Sequence, residues 1–297
     1  MGFKSIYKDK PFISKFITLC LLILVSVILH TIIALTLIHI FTDQGLSLIS
    51  NQDLTNQDTV NNLKFLQLFS GIGLFITPIL LYSYLTDFKF KFSKVRRRNI
   101  ILVITIILLI TPFVSLLLEW NMKIPIPEWF LQLDNNSEDI IKAFLNYSTI
   151  YELLYTLLII SIVPAIGEEL LFRGYLQQEI TKWTKWPHLA ILITAFLFSV
   201  VHLDAQAIIP RLTLGVLLGY FYYLSRNLWL PIIAHFINNA QVVIFAHDSF
   251  KIDSEGYSFL ASYSNYVLGL FSLISVAILF YLFYKSNSIE KVYDKTF

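Results

Sequence analysis

FITLCLLILVSVILHTIIALTLIHIF, residues 16–41, contains no Asp, Glu, Lys or Arg. A helix rising 1.5 Å per residue needs roughly 20 mostly apolar residues to cross a hydrocarbon core, and this run exceeds that length. Working outward toward the N-terminus, Lys4, Lys8, Lys10 and Lys15 precede it, as basic residues precede a signal peptide. The apolar run outlasts a typical signal h-region and no A-x-A site follows, so we expect a retained first span. Toward the C-terminus the pattern recurs at about 63–86, 99–118, 146–166 (running on to 180), 188–203, 207–225, 228–247 and 258–284. These segments predict an all-α fold: a polytopic membrane protein of about eight transmembrane helices.

Composition leads to the same class. Hydrophobic residues make up 56% of the chain and charged residues 14%, whereas a soluble domain carries about a quarter charged residues. The net charge is +2, and Lys94, Arg96, Arg97 and Arg98 sit directly beside apolar runs. That placement fits membrane flanks and excludes a nucleic-acid partner. Cys20 is the single cysteine, so no intramolecular disulfide forms.

With eight spans, the N-terminal tail, 87–98, 181–187, Arg226 and the C-terminal tail fall on one side and hold most of the Lys and Arg. The acidic loops 42–62 and 119–146 and the stretch 248–257 fall on the other. By the positive-inside rule both termini are expected in the cytoplasm. Trp183, Trp186 and Trp229 mark the same boundary as an aromatic belt. Within 124–147, Pro125, Pro127 and Asn135-Asn136 break the chain and Ser137 can cap a new helix with Glu138 and Asp139 in its first turn. Its stripe of Ile140, Ile141, Phe144 and Leu145 predicts an interfacial helix before the fourth span. We read one membrane domain over 1–297: N-terminal spans of unassigned role (1–148), a polar core (149–247), and a last span with a tail (248–297).

Ionisable groups at bilayer depth are unfavourable by about 2.5–3.5 kcal/mol each on insertion scales, so their presence needs a reason. Three clusters stand out, and together they predict a buried polar site. In Gly167-Glu168-Glu169-Leu170-Leu171-Phe172-Arg173-Gly174, Glu169 and Arg173 have the i, i+4 spacing of an ion pair, and Glu168 is rotated away from it. Pro164, just before, predicts a kink. Phe198 and His202 share a helix face, as do His235 and Asn239. Counted from the cytoplasmic ends at 1.5 Å per residue, Glu168 lies roughly 18 Å deep, His202 roughly 22 Å, His235 roughly 12 Å and Asn239 roughly 18 Å. Four polar groups from three spans can therefore meet in one layer. His30, His39, His188 and His247 read as packing or interfacial residues. Asp204 and Arg211 bracket a turn and predict a local ion pair, and Gly215-x-x-x-Gly219 predicts close helix approach.

In order along the chain the motifs are E-E-x-x-x-R (Glu168, Glu169, Arg173), F-x-x-x-H (Phe198, His202) and H-x-x-x-N (His235, Asn239). This arrangement resembles the CAAX-protease and bacteriocin-processing (CPBP, or Abi) family of intramembrane peptidases, including the type II CAAX prenyl endopeptidases. The resemblance covers about residues 160–245, and 1–150 are similar in hydropathy alone. It implies an endopeptidase acting on a membrane-associated peptide or protein, such as a CAAX-type prenylated tail or a peptide precursor, within the lipid bilayer. It further implies that Glu168 acts as general base, with His202 orienting the water and His235 and Asn239 stabilising the oxyanion. Glu169, Arg173 and Phe198 would support them. The preferred reading requires no cofactor. Its alternative is a metalloprotease in which Glu168, His202 and His235 hold zinc or another divalent metal. Two rival functions use the same residues: a non-catalytic membrane scaffold or immunity protein, and a transporter relaying protons or cations through Glu168, His202 and His235.

Overall fold

The structure, a computed structural model, describes residues 5–42, 45, 48, 53–127, 137–245 and 266–293. The described residues form helices and no strand. In chain order we label α1 Phe12–Thr42, α2 Gln57–Thr86, α3 Arg97–Met122, α4 Ser137–Leu145 and α5 Ile150–Thr184. There follow α6 Pro187–Val200, α7 Ile208–Ser225, α8 Trp229–Phe245 and α9 Tyr266–Tyr293. Eight of these coincide with the eight apolar segments, and the protein is an integral multi-pass membrane protein. Six are long enough to cross a bilayer by themselves. The other two, α6 at 14 residues and α8 at 17, fall short of a full span. The stretch 248–257 and the expected start of the last span at 258 lie outside the described residues.

The chain divides into two compact units, Met1–Phe90 with Glu138–Leu171, and Lys91–Ser137 with Phe172–Phe297. The first unit contains a repeated device. A π-helical turn at Ile72–Ile76 precedes Thr77-Pro78, and a second at Leu158–Ile162 precedes Val163-Pro164. Proline has no N–H and its ring crowds the preceding turn, so an extra residue in that turn relieves the crowding. Thr77 N–H donates to the Ile72 carbonyl and Val163 N–H to the Leu158 carbonyl, closing both wide turns. The kink expected at Pro164 is therefore a π-turn in which the hydrogen bonds shift register and are not simply lost.

Helix α4 packs Ile140, Ala143 and Phe144 onto a cluster containing Ile38, Val60 and Leu63. Of the expected stripe, Ile140 and Phe144 pack on this cluster and Ile141 is exposed. A Thr149–Glu152 capping box starts α5. Between these helices Lys64 is fully buried and donates from Nζ to Thr156 Oγ1 at 3.0 Å. Thr156 Oγ1 in turn donates to the Phe144 carbonyl at 3.2 Å, and the ammonium lies 5.9 Å from the Phe144 ring centroid. A cation removed from water depends on such an acceptor. Thr156→Val is thus expected to destabilise the protein by about 2 kcal/mol, read as a lower apparent Tm in detergent. The double change with Lys64→Met should recover part of that loss, and a Tm unchanged by Thr156→Val would remove Lys64 from the account.

The second unit is built on α3, α6, α7, α8 and α9. Val103, Ile106 and Ile107 of α3, Phe221 of α7, Ala234 of α8 and Phe283 of α9 form its apolar centre. Val267, Phe271, Ile274 and Ile278 of α9 are exposed apolar side chains, as a lipid-facing stripe requires. Trp183, Trp186 and Trp229 are exposed too. At one end, Asn121 Nδ2 donates to the Ala205 carbonyl and its Oδ1 accepts from Ile209 N–H, tying α3 to the turn before α7. The expected pair of Arg211 and Asp204 closes that turn at 2.7 Å. Gly215 and Gly219 permit the expected close approach of α7 to α6. A Cβ on Gly215 would stand 3.0 Å from Ala195 Cβ, and one on Gly219 2.8 Å from Ile191 Cγ2.

Candidate functional site

Glu168 and Glu169 end a short α-helical turn, Val163–Glu169, between the π-turn before Pro164 and a second π-helical stretch, Leu170–Leu176. Both carboxylates are buried in the first unit, at 6% and 0% exposure. Wide π-turns rotate side chains away from a regular 3.6-residue register and concentrate at functional positions. Gly167 brings this turn against α2: a Cβ there would meet Phe75 Cβ at 2.5 Å.

In the second unit Arg173, His202 and His235 gather around one ring. Phe198, on the last turns of α6, has its centroid 5.2 Å from that of Phe172, 5.0 Å from His202 and 5.8 Å from His235. The Arg173 guanidinium carbon lies 4.7 Å from the Phe198 ring centroid. Arg173 is fully buried and donates from Nη2 to the Gly215 carbonyl at 3.0 Å. Phe198 is therefore more than a spacing marker, because its faces and edges position an arginine and two imidazoles together.

His202 lies just past the end of α6, before Leu203 at φ 55. Its Nδ1 is 2.7 Å from the Phe198 carbonyl. A carbonyl accepts only, so Nδ1 carries a proton, and in the neutral ring Nε2 is then the acceptor. His235 is buried on α8, and one turn later Asn239 Oδ1 accepts from Asn238 Nδ2 at 3.1 Å. That bond orients the Asn239 amide so that its NH2 remains the donor end.

Gln177 is a residue that sequence reasoning missed. It is buried and donates from Nε2 to the Gly219 carbonyl at 3.1 Å. Arg173 and Gln177 thus contact Gly215 and Gly219, matching one four-residue step with another. The matched spacing was visible in the sequence, but nothing local signalled that glycine carbonyls would be the acceptors. Arg173→Lys keeps the charge yet cannot both stack on Phe198 and reach Gly215 with a planar fork. It is expected to lose about 2 kcal/mol of stability and to weaken any activity of the site. A variant with unchanged Tm and activity would show that the guanidinium shape is irrelevant.

Among the described residues no group of three His, Cys, Asp or Glu side chains is placed to hold a metal ion.

Residues 150–241 match the family profile described as "Type II CAAX prenyl endopeptidase Rce1-like". Over 88 residues the chain is 31% identical to a Bacillus subtilis (strain 168) protein named "Putative membrane peptidase YdiL". That alignment covers 30% of this chain and 36% of the relative. No solved structure matches. Both matches support the CPBP resemblance, and the profile match encloses every motif residue described above.

Proposed function

We propose that this chain, whose residues 150–241 match the Rce1-like family profile, is an intramembrane endopeptidase that hydrolyses a peptide bond in a membrane-associated substrate. The observation that supports this reading most is the family match itself, which spans Glu168, Glu169, Arg173, Phe198, His202, His235 and Asn239 in one continuous stretch. In this reading Glu168 takes a proton from water, and the resulting hydroxide attacks the scissile carbonyl carbon. His202 orients that water through Nε2. His235 and Asn239 donate hydrogen bonds to the oxyanion, and Glu168 returns the proton to the departing amine. Arg173, Glu169 and Phe198 hold these groups in place, and no cofactor is needed. Prenylated CAAX-type tails and membrane-bound peptide precursors are the substrate classes proposed. Both termini face the cytoplasm, so that 87–98 and Arg226 lie on the positive side.

The second reading is a non-catalytic scaffold that keeps this helical core. The two differ in a terminal-peptide survey of membranes carrying wild-type protein or Glu168→Gln at equal levels. Peptidase function predicts that specific new termini disappear in the variant, and the lost cut sites then identify the substrate. Identical profiles, with the wild-type phenotype retained by the variant, would replace the peptidase with the scaffold.

A further inference from the structure

At one end of the second unit four helix ends surround a cavity that plays no part in the peptide chemistry. It lies between the start of α3, the end of α7, the start of α8 and Asn287 near the end of α9, and its volume is about 290 Å³. Lys94, Arg96 and Arg226 line it together with Ser93, Ser225 and Asn227, and among the described residues no Asp or Glu does. The wall is preformed. Asn227 Nδ2 donates to both the carbonyl and Oγ of Ser93, at 2.8 and 2.9 Å, and Trp229 N–H donates to Asn227 Oδ1. On the opposite side, Asn99 Nδ2 donates to Asn287 Oδ1 at 3.1 Å, and Ser286 Oγ donates to Asn99 Oδ1.

Positive charge at a membrane boundary is ordinary, and the positive-inside rule needs only its count. A concavity is a different matter. All five of these cations are exposed, but Arg97 and Arg98 lie outside the cavity, whereas Lys94, Arg96 and Arg226 line its wall among neutral hydrogen-bonding groups. Arg226 is held there by backbone in the left-handed region, φ 55, and by the Tyr223 ring 5.5 Å from its guanidinium. A non-glycine residue in that region is strained. Nearby, burial and the charges of Arg226 and Lys182 push the Lys91 ammonium below its ordinary pKa. An anion in the cavity would relieve this crowding of cations.

We propose that this cavity binds a phosphate group, supplied by an anionic lipid headgroup or by free phosphate. Basic pockets between helix ends at a membrane boundary hold phosphorylated headgroups in this way, and guanidinium forks match phosphate oxygens. The volume lies at the small end for a ligand site, which suits a headgroup phosphate. This inference is independent of the peptidase reading.

The test titrates detergent-purified full-length protein with short-chain phosphatidylglycerol, short-chain phosphatidylcholine and inorganic phosphate, reading apparent Kd from thermal stabilisation. Saturable stabilisation by phosphatidylglycerol, absent with phosphatidylcholine, is the expected result. Lys94→Gln/Arg226→Gln should weaken it on the order of 30-fold, at roughly fivefold per cation. Arg97→Gln/Arg98→Gln, which removes the same charge outside the cavity, should leave it within about twofold. If the first double variant does not fold, Lys94→Gln alone should still weaken binding about fivefold. Equal stabilisation by inorganic phosphate supports the site and assigns free phosphate as its source. Equal weakening in the two double variants, or no saturable binding by any probe, overturns the proposal.

Discussion

Glu168→Gln is expected to slow cleavage of the substrate bond by about a thousandfold or more while leaving folding intact. A positioned general base contributes roughly 10²–10⁴ in rate, and glutamine keeps the shape of glutamate without its basicity. Position 168 is 6% exposed, where a neutral amide is easier to bury than a carboxylate. The variant's Tm should therefore hold or rise, which separates loss of chemistry from loss of structure. Asn239→Ala provides a contrast. Removing the proposed oxyanion donor should lower turnover by about 10²–10³, mainly in kcat. The measurement is kinetics on a peptide bearing the cut site identified in the terminal survey. Cleavage by Glu168→Gln at the wild-type rate would sink the assignment, whatever the remaining motifs suggest. A transporter using the same carboxylate would lose ion movement in this variant but would show no product termini in either form.

Gly167→Ala is expected to destabilise the protein by about 2 kcal/mol or more through overpacking, and to displace the adjacent Glu168. The added Cβ would stand 2.5 Å from Phe75 Cβ and 3.2 Å from Ile76 Cγ1. Phe75 and Ile76 lie within the π-turn Ile72–Ile76, so relief requires backbone movement and not a rotamer change. The source of the clash makes the prediction specific. Phe75→Ala retains the offending Cβ and should not rescue Gly167→Ala, whereas Phe75→Gly removes it and should couple favourably. A double-mutant comparison of apparent Tm tests this. Rescue by Phe75→Ala equal to that by Phe75→Gly would show that the aromatic ring, and not the Cβ, sets the limit.

Some features of the site were legible because they depend on neighbours in the chain. The Asp204–Arg211 pair closes a single turn, and Gly215 and Gly219 declare a close approach by their lack of side chains. Other features depend on partners far away in sequence. Arg173 also meets the Gly215 carbonyl and the Phe198 ring, 42 and 25 residues on. Lys64 is fully buried against Thr156, 92 residues away.

By itself, the sequence determined that this is an all-helical membrane protein, where its eight apolar helices lie, and which three motifs interrupt them. Apolar run length and charge placement are local quantities, and the bilayer acts on them directly. The tertiary structure decided the register of those helices and what their polar groups meet. The π-turns before Pro78 and Pro164, the gathering of Arg173, His202 and His235 around Phe198, and the basic cavity closed by Asn227 on Ser93 all arise there. Each depends on a backbone carbonyl or ring delivered by a distant helix. No residue's own neighbourhood in the chain specifies such a partner; packing does, because a buried polar group settles only where an acceptor has been brought to it.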